Sequence, residues 1–329
     1  MSGEADIIQR VLAPLAAGYA GAFGLTDDAA VMAPPGGHEL VATMDAVAEG
    51  VHFFGGDKAG DIGWKALAVN VSDLVAKGAT PHVYLMSLAF PREPARDWLD
   101  GFAAGLGEAQ TAFGITLIGG DTDRRPGPVS VTISAFGIVP VGAMVRRGAA
   151  RVGDRVFVSG TLGDAALGLK LRGGANEAAA WGLSEAERAH LVGRYLRPQP
   201  RVALACVLRA HARASMDISD GLLKDLGRMC AASGVGAVIE LGALPVSQAA
   251  AAVVARAPAA MAEIVGGGDD YEVLATVSEH QAAWFVAAAR AVGVGVRKIG
   301  QIVAGGGVVV MGGSDGQPVK FERDGWDHF

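Results

Sequence analysis

Cysteine, positive charge and long apolar runs are all scarce in this 329-residue chain. Its two cysteines, Cys206 and Cys230, belong to no Cys-x-x-Cys or Cys/His spacing, so neither a disulfide framework nor a structural zinc site is expected. A formal net charge of −6 leaves no basic stripe for a phosphate backbone, which argues against a nucleic-acid partner. Apolar runs such as 249–255 and 282–289 fall far short of the roughly 20 residues that cross a bilayer, so no membrane partner is expected.

The first residues are acidic and lack the cationic and apolar regions of a secretory signal. We therefore expect a reducing, cytoplasmic location. The length of the chain predicts two domains, each large enough for its own core. Near residue 148 the pattern changes, with Arg146 and Arg147 followed by small residues. This break predicts an N-terminal domain over 1–148 and a C-terminal domain over 149–329.

Apolar periodicity predicts alternating helices and strands in both halves, which indicates an α/β (α+β) fold. In the first half, the predicted strands are 39–43, 82–90, a segment from 115 that breaks at Gly119-Gly120, and 129–139. The last of these alternates Ser130, Thr132 and Ser134 with apolar residues. We expect the edge strands of this domain, with this alternating set among them, to need covering, and a symmetric homodimer would provide it.

The stretch 214–226 of the second half ends an apolar run in Asp217, Ser219 and Asp220. Gly221 permits a tight exit, and Leu222 and its neighbours have the spacing of a buried helical face. Carboxylates beside the N-terminus of a helix suit a hydrated divalent metal that bridges to a phosphate. The alternative is that Ser219 or Asp220 is simply the N-cap of this helix.

Further acidic positions precede or follow strands and glycines: Asp27 with Asp28, Asp45, Asp73 and Asp121. Taken singly, each has a structural explanation, such as a solvated turn or an ion pair between Asp73 and Lys77. Taken together, so many converging carboxylates would repel one another unless cations separated them. Two or more Mg²⁺ ions with a nucleoside triphosphate would resolve this, and phosphoryl transfer then needs chiefly positioning and charge neutralisation.

The chain resembles the thiamine-monophosphate kinases, in the superfamily of aminoimidazole-ribonucleotide synthetase-like ATP-binding enzymes. The resemblance spans essentially the full length and rests on several motifs in a fixed order. They are Thr26-Asp-Asp-Ala29, Thr43-Met-Asp45 with Gly50-Val-His-Phe53, 65–73, Gly119-Gly-Asp121, 158–164, Leu196-Arg-Pro198, Met216–Gly221, Gly267–Tyr271 and Trp326-Asp-His-Phe329.

This resemblance implies a two-domain aminoimidazole-ribonucleotide synthetase-like fold, with the N-terminal sheet pairing across a dimer and the active site between the two domains. It implies ATP-dependent conversion of thiamine phosphate to thiamine diphosphate by direct in-line transfer of the γ-phosphoryl group, within thiamine diphosphate biosynthesis. No residue is expected to form a phosphoenzyme or to act as a catalytic nucleophile. The expected cofactor is Mg²⁺, in several ions, with ATP as co-substrate.

The same resemblance assigns the site residues. The expected Mg²⁺ ligands are Asp28, Thr43, Asp45, Asp73, Asp121, Asp217 and Asp220. The expected ATP contacts are Gly120, Asp121, Arg146 and Ser219. The expected thiamine phosphate contacts are His52, Asp269 and Trp326, and His328 with Phe329 is expected to pin the aromatic tail.

The chain departs from the family pattern at three positions: Thr26 replaces a usual glycine, Met44 a usual hydroxyl residue and Asp269 a usual glutamate. Four alternatives stay open. A selenide-activating kinase would have a reactive cysteine near its start, whereas the first cysteine here is Cys206. An amidine-cyclising synthetase is a second member of the same superfamily. A carbamoyl-dehydrating relative would end in cysteine rather than Phe329. A regulatory protein would bind metal and nucleotide without turnover.

Overall fold

The computed structural model describes residues 6–174, 176–312, 316–322 and 324–327. The chain divides into two compact units, of which the first comprises Met1–Val75 and Ala79–Met144. The second comprises Ala76–Gly78 and Val145–Phe329. The expected tail anchors, His328 and Phe329, lie outside the described residues.

The first unit is built on a mixed sheet whose described strands follow the order β1-β4-β2-β3. β4 pairs antiparallel with both β1 and β2, and β2 pairs parallel with β3. Its elements are a π-helix over Ile7–Leu12, α1 (Ala13–Ala16), a 3₁₀ segment over Ala20–Leu25, β1 (His38–Ala48), α2 (Ala59–Ala76), β2 (Thr80–Phe90), α3 (Arg96–Phe113), β3 (Thr116–Arg124) and β4 (Ser130–Pro140).

Alternation along β4 explains how this sheet gains one covered face and one open face. Val131, Ile133 and Ala135 are buried, while the residues between them are half-exposed. Successive side chains of a strand point to opposite faces, so the apolar set lies on the core. On the other face, Met44 of β1 is 65% exposed and Leu85 of β2 is 36% exposed. The predicted polar face of this strand is therefore open in the single chain. β4 is nevertheless not the edge strand that the sequence had led us to expect, because it pairs with β1 on one side and β2 on the other.

The second unit contains a sheet whose described strands follow the order β11-β10-β7-β9-β5-β8-β6. β10 and β7 pair in parallel, whereas the other neighbouring strands pair antiparallel. The strands are β5 (Arg155–Ser159), β6 (Ala212–Ile218), β7 (Gly236–Glu240), β8 (Glu272–Val277), β9 (Val296–Val303), β10 (Gly307–Met311) and β11 (Pro318–Val319).

Helices of the second unit pack their apolar faces on this sheet. The α-helices are α4 (Asp164–Arg172), α5 (Asn176–Ala179), α6 (Glu185–Leu196), α7 (Ala205–His211), α8 (Leu222–Ser233), α9 (Gln248–Arg256), α10 (Met261–Gly266) and α11 (Glu279–Ala291). Short 3₁₀ turns lie at Arg147–Ala149, Val202–Leu204, Leu241–Ala243 and Pro258–Ala260. Ile218, Leu222 and Leu226 join one apolar core and carry the chain from β6 into α8. Among the described residues, no helix combines the length and apolarity that a membrane span requires.

Two predicted strands have different bounds in the structure. β1 extends to Ala48, so Asp45 lies within the strand and not beyond its end. β3 continues through Gly119 and Gly120, because a register shift at Tyr84/Leu85 absorbs the irregularity. In each case strand pairing overrides the local turn signal of glycine or a polar residue.

Candidate functional site

In the first unit, β1 and α2 bring polar residues together. Thr43 and Asp45 are two positions apart on β1, so both side chains point to the same face of the sheet. Thr43 Oγ1 donates a hydrogen bond to Asp73 Oδ2 at 2.5 Å. The Asp45 backbone N–H donates to Asn70 Oδ1 at 2.9 Å, and Asn70 Nδ2 in turn donates to the Ala66 carbonyl at 3.0 Å. Asn70, which the sequence analysis left without a role, therefore fixes the strand against the helix beside Asp45.

His52 follows β1 and is held in one orientation by its own backbone. The Ala48 N–H donates to His52 Nδ1 at 3.1 Å. A ring nitrogen that accepts a hydrogen bond is unprotonated, so the neutral ring has its hydrogen on Nε2. Lys65, which is buried, donates from Nζ to the His52 carbonyl at 2.9 Å. These contacts leave His52 half-buried near the end of the strand that carries Thr43 and Asp45.

Asp121 and Gly120 lie elsewhere in the same unit. β3 is separated from β1 by β4 and β2, a distance of about 14 Å at the usual strand spacing. Asp121 is in register with Ser87, which pairs with Thr132, and Thr132 pairs with Ala46. Asp121 therefore shares the open face, whereas Asp45 points to the opposite face. The first unit alone does not bring these two carboxylates together.

Packing against the neighbouring strand requires glycine at position 120. A Cβ at this position would overlap the backbone of Met86 on the neighbouring strand.

Asp28 lies in an exposed bend after the 3₁₀ segment. Within the described residues, no side-chain hydrogen bond connects Asp28 to the other candidate positions.

In the second unit, the end of β6 meets the loop before β8. Asp217 is buried at the end of β6, and Ser219 lies two residues further on. The Asp269 N–H donates to the Ser219 carbonyl at 2.9 Å, and the Tyr271 N–H donates to the Ile218 carbonyl at 2.8 Å. Asp269 adopts a left-handed φ of 69°, and Tyr271 Oη donates to its Oδ1 at 3.3 Å. These bonds bring Asp217, Ser219 and Asp269 to one place.

Asp225, on the first turn of α8, organises the turn that leaves β6. Its Oδ2 accepts from the Ser219 N–H at 3.0 Å and from the Asp220 N–H at 2.9 Å. Its Oδ1 accepts from Arg228 Nη1 at 2.9 Å, and the same guanidinium lies 2.6 Å from Asp220 Oδ2. Burial raises the pKa of Asp225 above its ordinary value. The backbone N–H of Asp220 and the guanidinium of Arg228 oppose this rise.

This arrangement excludes the capping alternative. The N-cap of α8 is Gly221, and neither Ser219 nor Asp220 accepts a capping bond from the helix. No motif in the sequence points to Asp225 or Arg228. The position of Asp225 could have predicted its role, because it follows Leu222 by three residues and so lies on the buried face of the helix. A charge buried there requires partners.

The C-terminal tail lies against the same turn. The Trp326 N–H donates to the Asp220 carbonyl at 2.8 Å. The Trp326 residue is 50% exposed. Its backbone joins Ser219, Asp220 and the Asp269 loop in one cluster of the second unit, at the end of β6 and beside Asp217.

A buried ion-pair network braces the loop that carries Asp269. Glu272 is fully buried, and its Oε2 accepts from Ser159 Oγ at 2.6 Å and from Arg201 Nε at 2.8 Å. Its Oε1 accepts from Arg194 Nη2 at 2.9 Å. Asp270 accepts from the Gly163 N–H at 2.9 Å. Burial raises the pKa of Asp270 well above that of a free carboxyl, and this backbone donor opposes the rise only in part.

Arg146 does not join this cluster. It is exposed and precedes the 3₁₀ turn whose Arg147 carbonyl accepts from Ser233, at the C-terminal end of α8. Asp220 lies at the other end of that helix, whose 12 residues span about 18 Å at the usual rise. Arg146 remains a candidate for a phosphate only at a distance from Asp220.

The described residues contain no group of three or more His, Cys, Asp or Glu side chains arranged to hold a metal ion. Their donor chemistry nevertheless fits Mg²⁺. Each expected Mg²⁺ ligand offers oxygen, from the hydroxyl of Thr43 or from a carboxylate. Mg²⁺ is typically bound by one or two carboxylates, with waters and substrate phosphates completing its octahedron.

Both halves of the chain match sequence families. Residues 26–139 match the family described as AIR synthase related protein, N-terminal domain. Residues 151–313 match AIR synthase related protein, C-terminal domain. The two matches account for most of the chain.

Individual relatives match over nearly the full length. The thiamine-monophosphate kinase of Caulobacter vibrioides is 39% identical over 329 residues, which cover 99% of this chain and 90% of that protein. A crystal structure of thiamine-monophosphate kinase from Stenotrophomonas maltophilia K279a is 42% identical, with a TM-score of 0.80, and the match covers 90% of this chain and 91% of that one. A structure of AaThiL complexed with AMPPCP and TMP is 31% identical, with a TM-score of 0.78 and coverage of 94% and 97%.

Proposed function

This chain belongs to the thiamine-monophosphate kinase family and is a kinase with the two-domain fold of that family, and we propose that it converts thiamine phosphate to thiamine diphosphate by direct in-line transfer of the ATP γ-phosphoryl group. The observation that supports this most strongly is the cluster at the end of β6. There Ser219 and Asp220, which follow Asp217 in the chain, meet Asp269 and Trp326 through backbone hydrogen bonds between segments far apart in the sequence. A relative with the same fold has been solved with AMPPCP and TMP.

The chemistry requires little beyond positioning. The acceptor is a phosphate oxygen that is already anionic near neutral pH, so no general base has to remove a proton. Bringing the acceptor oxygen in line with the γ-phosphorus supplies most of the rate enhancement.

We propose that several Mg²⁺ ions accompany ATP. Bound Mg²⁺ would neutralise phosphate charge and stabilise the transferring group. The chain's own contribution is to supply oxygen ligands to these ions. The proposed ligands are Asp28, Thr43, Asp45, Asp73, Asp121, Asp217 and Asp220. Gly120, Asp121, Arg146 and Ser219 are proposed ATP contacts.

The proposed thiamine phosphate contacts are His52, Asp269 and Trp326. His52 offers a donor at Nε2, because Nδ1 is occupied by the Ala48 N–H. Asp269 offers a carboxylate next to Ser219. The Trp326 indole offers an aromatic face to the cationic thiazolium and the flat pyrimidine, worth about 0.5–2 kcal/mol for the cation alone.

We further propose that two copies form a symmetric homodimer through the open face of the first unit. Met44 of β1 and Leu85 of β2 are exposed there, on either side of Ser134 of β4. A second copy on this face would cover apolar surface and also approach the face that carries Asp121. A sedimentation experiment showing only monomer at micromolar concentration would contradict this proposal.

The test of the proposed activity is the conversion of thiamine phosphate by the purified chain with Mg-ATP, followed by chromatography. Thiamine diphosphate and ADP are expected in equal amounts, and omission of Mg²⁺ should abolish both. Unphosphorylated thiamine is the control acceptor and should not react. ATP binding without product would instead support the regulatory alternative.

A further inference from the structure

The tail that carries Trp326 is attached to the first turn of α8 through two backbone hydrogen bonds. The Lys224 N–H donates to the Asp324 carbonyl at 2.9 Å, and the Trp326 N–H donates to the Asp220 carbonyl at 2.8 Å. The first of these uses an N–H at a helix N-terminus, which has no partner within the helix. The tail thereby satisfies a donor that the helix itself cannot.

The Lys224 side chain adds a second attachment. Its Nζ donates to the Trp326 carbonyl and lies 3.6 Å from Asp327 Oδ2 and 3.8 Å from Asp220 Oδ2. Its side chain is only 20% exposed. The aliphatic stem packs beneath Gly325, where an added Cβ would lie 2.5 Å from Lys224 Cβ and 2.6 Å from Cδ. A single lysine thus contacts the tail at Trp326 and Asp327, lies under Gly325 and faces Asp220.

We propose that Lys224 is a positioning residue for thiamine phosphate: it fastens the C-terminal tail across the end of β6 and so holds the Trp326 indole beside Asp220 and Asp269. The proposal rests on the proposed function for its substrate. It goes beyond that function because Lys224 itself contacts no substrate in this account. Its ammonium group binds the Trp326 carbonyl. Its aliphatic stem packs against Gly325, which has no side chain to displace the stem.

Two neighbouring cations share Asp220 but differ in their other partners. Arg228 binds the carboxylates of Asp220 and Asp225 and therefore orders the turn. Lys224 alone of the two binds a carbonyl of the tail. Loss of Lys224 should accordingly affect the tail and the thiamine end of the substrate, without a general effect on nucleotide use.

The test is Lys224→Met, which keeps the stem and removes the ammonium group. The KM for thiamine phosphate should rise about three- to tenfold, while the KM for ATP should stay within about twofold of the wild type. Hydrogen exchange in the C-terminal peptide, followed by mass spectrometry, should become faster because the tail is held less firmly. Lys224→Arg should restore part of both effects.

Gly325→Ala is the second variant, since its Cβ would collide with the Lys224 stem and with the Asp220 carbonyl that accepts from the Trp326 N–H, while leaving every charge in place. It should change the same two quantities. The matched control is Lys170→Met, which removes a similarly exposed lysine paired with Glu263 and should change neither quantity.

Unchanged KM and unchanged exchange in Lys224→Met would overturn the proposal. Faster exchange without a change in KM would also overturn it, because the tail would then be anchored without positioning the substrate. An equal effect in Lys170→Met would overturn it as well. A wild-type chain that forms no thiamine diphosphate would refute the proposed function, whereas unchanged exchange in an active enzyme would refute only the role of Lys224.

Discussion

Replacement of Asp225 tests whether one buried carboxylate holds the end of β6 in place. In Asp225→Ala, the backbone N–H groups of Ser219 and Asp220 lose the acceptor that they share at 3.0 and 2.9 Å. A buried donor left without a partner costs about 1–3 kcal/mol. Both residues are only half-buried, so water recovers part of the loss, and removal of a desolvated carboxylate offsets another part. We expect the free energy of unfolding to fall by about 2–3 kcal/mol.

Asp225→Asn separates the two tasks of this side chain. The amide oxygen can still accept from both N–H groups, but the amide nitrogen would face Arg228 donor to donor. Arg228 is 41% exposed, so its ion pair is worth little, and a loss of about 1 kcal/mol is expected. Arg228→Met is the control and should cost less than Asp225→Ala.

Urea titrations with linear extrapolation provide the measurement. Turnover under native conditions should fall in Asp225→Ala as well, because Asp220 would no longer be held at the site. If Asp225→Ala unfolds within about 0.5 kcal/mol of the wild type, the carboxylate is not organising the turn and this reasoning is wrong.

Three other predictions concern separate parts of the chain. Asp45→Asn and Asp121→Asn should each lower kcat by orders of magnitude with little change in the melting temperature, because each removes a charge proposed to anchor metal; near-normal kcat in both would remove them from the site. Because burial raises the pKa of Asp270, the unfolded chain releases this proton first as the pH rises, and the contribution of Asp270 to the free energy of unfolding declines as the pH rises above the ordinary carboxyl pKa of about 4. Urea titrations from that pH upward should give a flatter profile for Asp270→Asn, and an unchanged slope would contradict the assignment. Burial raises the pKa of Cys230 to about 11, whereas Cys206 is exposed, so a thiol reagent at mildly alkaline pH should label one cysteine in the native chain and two after denaturation; two rapid labels in the native chain would be inconsistent with the fold.

The sequence predicted the parts of the site that depend on local pattern. The apolar run that ends in Asp217, the turn at Gly221 and the helix after it all appear in the structure. It also predicted the polar face of β4, because alternation along a strand is a local property. The strand bounds were less accurate where glycines continue a strand, as at Gly119 and Gly120.

The residues that brace the site were not predictable in this way. Glu272 and Arg201 are 71 positions apart, and no spacing rule connects residues at such a separation. Lys224 has the pattern of an ordinary surface lysine, and only the return of the tail across α8 gives it a partner. The first unit also leaves Asp45 and Asp121 on opposite faces of one sheet, which the sequence-based convergence of carboxylates did not anticipate.

The most direct test of the central claim uses ATP radiolabelled on its γ-phosphate, together with thiamine phosphate, Mg²⁺ and the purified chain. Direct transfer predicts that the label enters thiamine diphosphate in a one-to-one ratio to the ADP formed, with no labelled protein surviving denaturation. Label that remains on the protein, or that is released as inorganic phosphate without thiamine diphosphate, would contradict the account.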